Sequence, residues 1–166
     1  MATLIAIPVL GVLLILQSAV FSQLQLLQGT TDLVLMALIA WAVQKRVESA
    51  WYWGIIGGLL VGFASAVPFG AVLLGYLMVV AMAVILKQRV WQWPILAMFV
   101  VTFFGTILVH LVIIISLLIA GTPLPFWQSI NMITLPSVLL NLLLAAPFYA
   151  VFSDLASWLY PEELAM

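Results

Sequence analysis

Long apolar blocks alternate along the chain with short clusters of polar residues, glycine and proline, the pattern of successive membrane-spanning helices. A helical span takes ~20 residues, and the blocks predict six spans, at about 2–21, 31–44, 51–67, 69–86, 94–120 and 135–158. The first is too long for the apolar core of a signal peptide and has no basic flank, so it reads as an uncleaved span. Thr30, Thr31 and Asp32 offer helix-capping side chains before the short second span. Gln44 to Glu48 closes that span, Pro68 stops the third, and Lys87-Gln88-Arg89 closes the fourth. The fifth block exceeds the hydrocarbon thickness and has room to tilt. Gly121 to Pro125 breaks it. Residues 126–134 read as an interfacial segment, and Pro136 suits the first turn of the sixth span.

The four basic residues Lys45, Arg46, Lys87 and Arg89 fall in two connections, 2–3 and 4–5, which share one side of a six-span bundle. The positive-inside bias makes that side cytoplasmic and puts both termini there. Asp154, Glu162 and Glu163 form an acidic end that contributes little to this rule. Trp41, Trp51, Trp53, Trp91 and Trp93 flank the basic connections, with Trp158 near the C-terminus and Trp127 at the other face. They read as an interfacial belt or as one edge of a partner surface.

Composition narrows the function classes. Hydrophobic residues make up 67% of the 166 positions and charged ones 5%, too few charges to keep water on a soluble globule. A net charge of −1 gives no basic footprint for nucleic acid. Cysteine is absent, which excludes disulfides and thiolate chemistry. One histidine and five scattered acids make neither a metal centre nor a nucleophile–His–acid set, so neither enzymatic activity nor a cofactor is expected.

What remains is small or polar and lies inside the spans. Gly54, Gly58, Gly62 and Ala66 recur every four residues, with Gly70 beyond Pro68 and a shorter echo at Ala71 and Gly75. Such a stripe lets a second backbone approach, either of the same chain or of another protein. His110 shares a helical face with Thr102 and Thr106. With no acid at similar depth, it reads as a packing imidazole bonded to a neighbouring helix, and ion coupling ranks behind. Ser137, Asn141, Ala145 and Tyr149 share a face of the sixth span, where Asn141 needs a hydrogen-bond partner, and Pro147 loosens that helix. Asp32 reads as a cap on the second span.

Four segments in order resemble the rod shape-determining protein MreD family of bacteria. They are Leu16-Gln17-Ser18-Ala19-Val20-Phe21, Thr31-Asp32-Leu33 without the family's preceding Pro, Gly58-Leu59-Leu60-Val61-Gly62 leading to Pro68-Phe69-Gly70, and Leu135-Pro136-Ser137-Val138-Leu139-Leu140-Asn141. Gly62 stands where the family often has Asp. The resemblance covers nearly the whole chain and implies a six-helix bundle similar to the S components of energy-coupling-factor transporters. It also implies a non-enzymatic scaffold of the cell-elongation complex in the bacterial cytoplasmic membrane. The implied direct partner is MreC, and through it RodA, a penicillin-binding transpeptidase and MreB. The runner-up is a vitamin-binding S component using Asp32, Asn131, Asn141 and Tyr149.

Overall fold

A computed structural model describes residues 2–19, 26–89 and 93–161. The expected end of the first span at Phe21, Val20 in the first matching segment, Trp91, Glu162 and Glu163 lie outside these residues. The described chain is helical: α1 (Ala2–Ala19), α2 (Leu33–Ala42), α3 (Ala50–Ala64), α4 (Phe69–Arg89), α5 (Pro94–Ile119), the short α6 (Phe126–Ser129) and α7 (Leu135–Leu159). A π-helical turn, Ile130–Thr134, joins α6 to α7. No strand forms among the described residues. Three apolar stretches, α4, α5 and Phe126–Leu159, are long enough to cross a membrane, whereas α1, α2 and α3 are apolar but shorter.

The distribution of polarity is reversed relative to a soluble protein. Leu4, Phe63, Ile119, Leu143 and Trp158 point outward, while Thr102, Thr106, Ser137 and Asn141 are buried. A large apolar exterior belongs against lipid. In that solvent helix association rests on close packing and on polar contacts between helices rather than on exclusion of water.

At the centre lies α2, whose ten residues are all buried. It touches α1, α3, α4, α5 and α7, which surround it in the order α1, α3, α4, α5, α7. Glycine permits the tightest of these contacts. A Cβ on Gly54 would meet Val80, one on Gly58 would lie 2.7 Å from Leu73, and one on Gly62 would lie 2.7 Å from Phe69, so this face of α3 is occupied by α4. Gly57 faces Leu38 and Val34 of α2, and Gly75 and Gly105 bring α4 and α5 together. Ala66 and Gly70 are exposed and take no part. Between α1 and α7 the ring is not sealed. An apolar seam runs there, lined by Pro8, Val9 and Leu13 on one side and Phe148, Val151 and Leu155 on the other.

One expectation changes and another gains detail. Trp41 and Trp53 do not belong to a belt: both are fully buried, stacked with ring centroids 4.4 Å apart, and edged by Phe152. Trp51, Trp93, Trp127 and Trp158 are the exposed tryptophans among the described residues. The last helix does start at Leu135 with Pro136 in its first turn, but α6 and the π-turn run into it without a break. The helical path begins at Phe126 and continues through Pro136, whose ring in a regular helix would collide with the carbonyl four residues back, that of Met132. The chain widens there into the π-turn, with Leu135 N–H bonding to the Ile130 carbonyl. Pro136 has no N–H to give Met132, and the Gln28 N–H takes its place at 3.0 Å.

Candidate functional site

The polar residues singled out in the sequence converge on the N-terminus of α2. A helix begins with backbone N–H groups that have no partner in the helix, and in a lipid environment each unsatisfied group costs several kcal/mol. The Gln17 side-chain oxygen accepts from Leu33 N–H at 2.8 Å and Val34 N–H at 3.3 Å. Asp32 caps the next, its Oδ1 accepting from Leu35 N–H at 2.9 Å. The Met36 N–H then makes the first bond within the helix, to the Asp32 carbonyl.

A second layer fixes the cap. The Tyr76 hydroxyl of α4 donates to Asp32 Oδ2. The Asp32 N–H donates to Asn141 Oδ1 of α7 at 3.1 Å, and Asn141 Nδ2 donates to Thr106 Oγ1 of α5 at 3.0 Å. The Thr30 N–H donates to Ser137 Oγ at 3.0 Å. Tyr76, Thr106, Ser137 and Asn141 are all buried. Gly29 lets this connection lie on α7, because a Cβ there would sit 2.7 Å from Ser137 N and 2.9 Å from the Ile133 carbonyl. A tight turn with Leu27 at φ 57° precedes it.

Thus Gln17, Asp32, Pro136, Ser137 and Asn141 form one constellation. Tyr76 completes it, although the sequence reading passed over it; its signal was a hydroxyl in mid-helix that needs a partner when buried. His110 stands apart. Its Nδ1 is buried without a hydrogen bond, as is Thr102 Oγ1, so the bonded imidazole expected from the sequence does not form at that nitrogen. Asn131 is exposed, and Tyr149 lies toward the other end of α7, so the four residues expected of a vitamin pocket do not gather.

Beside the constellation is a recess of about 230 Å³ lined by Gln17, Ser18, Thr30, Thr31 and Ser65 together with the apolar Leu14, Val61 and Ala64. The Ser65 hydroxyl is buried there without a partner. Among the described residues no three His, Asp or Glu side chains come together as a metal site.

The opposite, basic end closes the C-terminus of α2. Gln44 Nε2 donates back to the Ala40 carbonyl at 3.1 Å. Lys87 Nζ, from α4, donates to the carbonyls of Gln44 and Val47 at 3.3 and 2.8 Å. Arg46 Nη1 reaches the Tyr160 carbonyl at 3.1 Å. Trp41 Nε1 donates to Ser49 Oγ, which also meets the Tyr160 hydroxyl.

No family model, curated protein or solved structure matches the chain. The arrangement itself can hold helices in register and close a buried helix at both ends.

Proposed function

We propose that this chain is a non-enzymatic membrane scaffold of the MreD type, serving the bacterial cell-elongation complex in the cytoplasmic membrane. In this reading the shorter helices α1, α2 and α3 also count as spans, giving six in a bundle like that of the energy-coupling-factor S components, with both termini in the cytoplasm. The basic connections, with Lys45, Arg46, Lys87 and Arg89, motivate that orientation.

The observation that carries the reading is the convergence at α2. Gln17, Asp32, Ser137 and Asn141 come from three of the four segments behind the resemblance, and they bond to one helix end. Segments far apart in sequence therefore act as one unit, which raises the value of their shared order. The open seam between α1 and α7 supports it as well, offering apolar surface on which the single span of MreC would pack. RodA, the transpeptidase and MreB would be reached through that complex.

Co-expression with the MreC of the same genome, followed by detergent pull-down, tests the proposal. A stable complex that survives purification is expected, and failure to co-purify at any ratio overturns it. One observation favours a second reading, a vitamin-binding S component: the recess beside Gln17 and Thr30, with its unpartnered Ser65 hydroxyl. A thermal-shift screen against water-soluble vitamins decides it. A nanomolar ligand at saturation adds about 3 kcal/mol or more of stability, and a flat screen removes this reading.

A further inference from the structure

Two adjoining recesses of about 690 and 320 Å³ lie between α1 and α7 and share Leu13, Val151 and Phe152, so they form one continuous seam. From Leu144 to Trp158 it follows α7 for about 21 Å, most of the ~30 Å hydrocarbon thickness. Both walls pack on α2, whose Leu33 also lines the seam. The groove between α4 and α5 differs. It measures about 380 Å³, has no charged or hydrogen-bonding side chain in its lining, and from Met78 to Leu86 follows α4 for only about 12 Å.

Asp154 lines the seam and is exposed, and among the described residues it makes no hydrogen bond or ion pair. No basic side chain stands among the described residues that line the seam. Trp158, one turn on, is on the same wall and 73% exposed. This is the basic end of the bundle, where the end of α7 meets Arg46. The positive-inside bias gives a partner's span its cationic flank on that same side. Pro8 and Pro147 also line the seam, and a proline has no N–H to give the carbonyl four residues back. The carbonyls of Leu4 and Leu143 thus lack their usual helical donor beside these apolar walls.

We propose that the seam receives one transmembrane helix of another protein, packed between α1 and α7, with a Lys or Arg at its cytoplasmic end seated between Asp154 and Trp158. This rests on the scaffold reading above and gives the partner's span a place and a register. A cation there answers the carboxylate and can lie on the indole face. A hydroxyl along the same helix can donate to the Leu4 or Leu143 carbonyl, for which an acyl chain has no donor. Two helices flanking a buried third offer the close packing on which association in lipid rests. A second copy docked seam to seam about a two-fold axis would bring the two Asp154 carboxylates toward each other.

The test uses the absence of cysteine from the chain. Val12→Cys, in the seam, and Ile85→Cys, in the α4–α5 groove, are each labelled with a benzophenone maleimide and reconstituted in liposomes with the MreC of the same genome. Light is expected to join MreC to the Val12→Cys chain and not to the Ile85→Cys chain. Asp154→Asn should weaken the complex about fivefold. Asp154→Lys should abolish capture, and changing the facing basic residue of MreC to Asp should restore it. Equal capture by Ile85→Cys overturns the inference, as does capture of only lipid or a second copy by Val12→Cys, or indifference to Asp154→Lys. In each of those cases a stable complex in the pull-down leaves the scaffold reading standing, whereas no complex with the unaltered chain overturns both. Val12, Ile85 and Asp154 are exposed, so the variants leave the packed interior untouched.

Discussion

At its N-terminus α2 is met by acceptors, the Gln17 amide oxygen and the Asp32 carboxylate, whereas at its C-terminus it is met by donors, the Gln44 amide and the Lys87 ammonium. This order follows the helix dipole, whose positive end attracts negative groups and whose negative end attracts cations. The ends differ in what lies behind them. Behind Asp32 stand Tyr76, Asn141, Thr106 and Ser137, all buried and contributed by three helices. Behind Lys87 stands an exposed turn with Lys45 and Arg46. Water can replace a lost partner at the second end far more readily than at the first. A short buried helix is thus held rigidly at one end and adaptably at the other.

Substitutions grade this contrast, and each is read by chemical unfolding in detergent micelles. Asp32→Leu should cost most, about 4 kcal/mol, because it strands both the Leu35 N–H and the Tyr76 hydroxyl at roughly 1–3 kcal/mol each. A cost under about 1 kcal/mol would mean that water reaches this end and the contrast fails. Gly29→Ala should follow at about 3 kcal/mol, since its new methyl meets backbone atoms that cannot turn aside. Gln17→Leu should cost about 2 kcal/mol by leaving the Leu33 and Val34 N–H groups without their acceptor. Lys87→Met should cost only about 1 kcal/mol, with water taking over the Gln44 and Val47 carbonyls. Parity between Lys87→Met and Asp32→Leu would remove the distinction between the ends. His110→Phe should be smallest, within roughly 1 kcal/mol, because it removes a nitrogen that has no partner to lose.

Much of this was legible along the chain because the relevant signals are local. Blocks of apolar residues gave the helices, and Asp32 was readable as a cap because a carboxylate at the start of a helix needs no distant information. The demand of Asn141 for a partner was also readable. The identity of that partner was not, since the Asp32 N–H lies more than a hundred residues away and only the packing of α2 against α7 brings it near. Trp41 and Trp53 show the same limit. A tryptophan beside a basic turn has one sequence pattern whether it anchors at an interface or stacks in a core. For His110 the helical face could be counted from the sequence, but the surroundings of its buried Nδ1 could not.

The pairing of Gln28 with Met132, and of Asp32 with Asn141, also sets an order of events. During synthesis the early part of the chain emerges with the start of α2 still unmet on its α7 side, and α7 leaves the ribosome after the other described helices. Contacts so distant in sequence form late, after their loop-closure entropy has been met. The central helix is therefore made before most of the helices that surround it and finished only when α7 arrives, and an assembly halted before α7 exposes its most polar point to lipid.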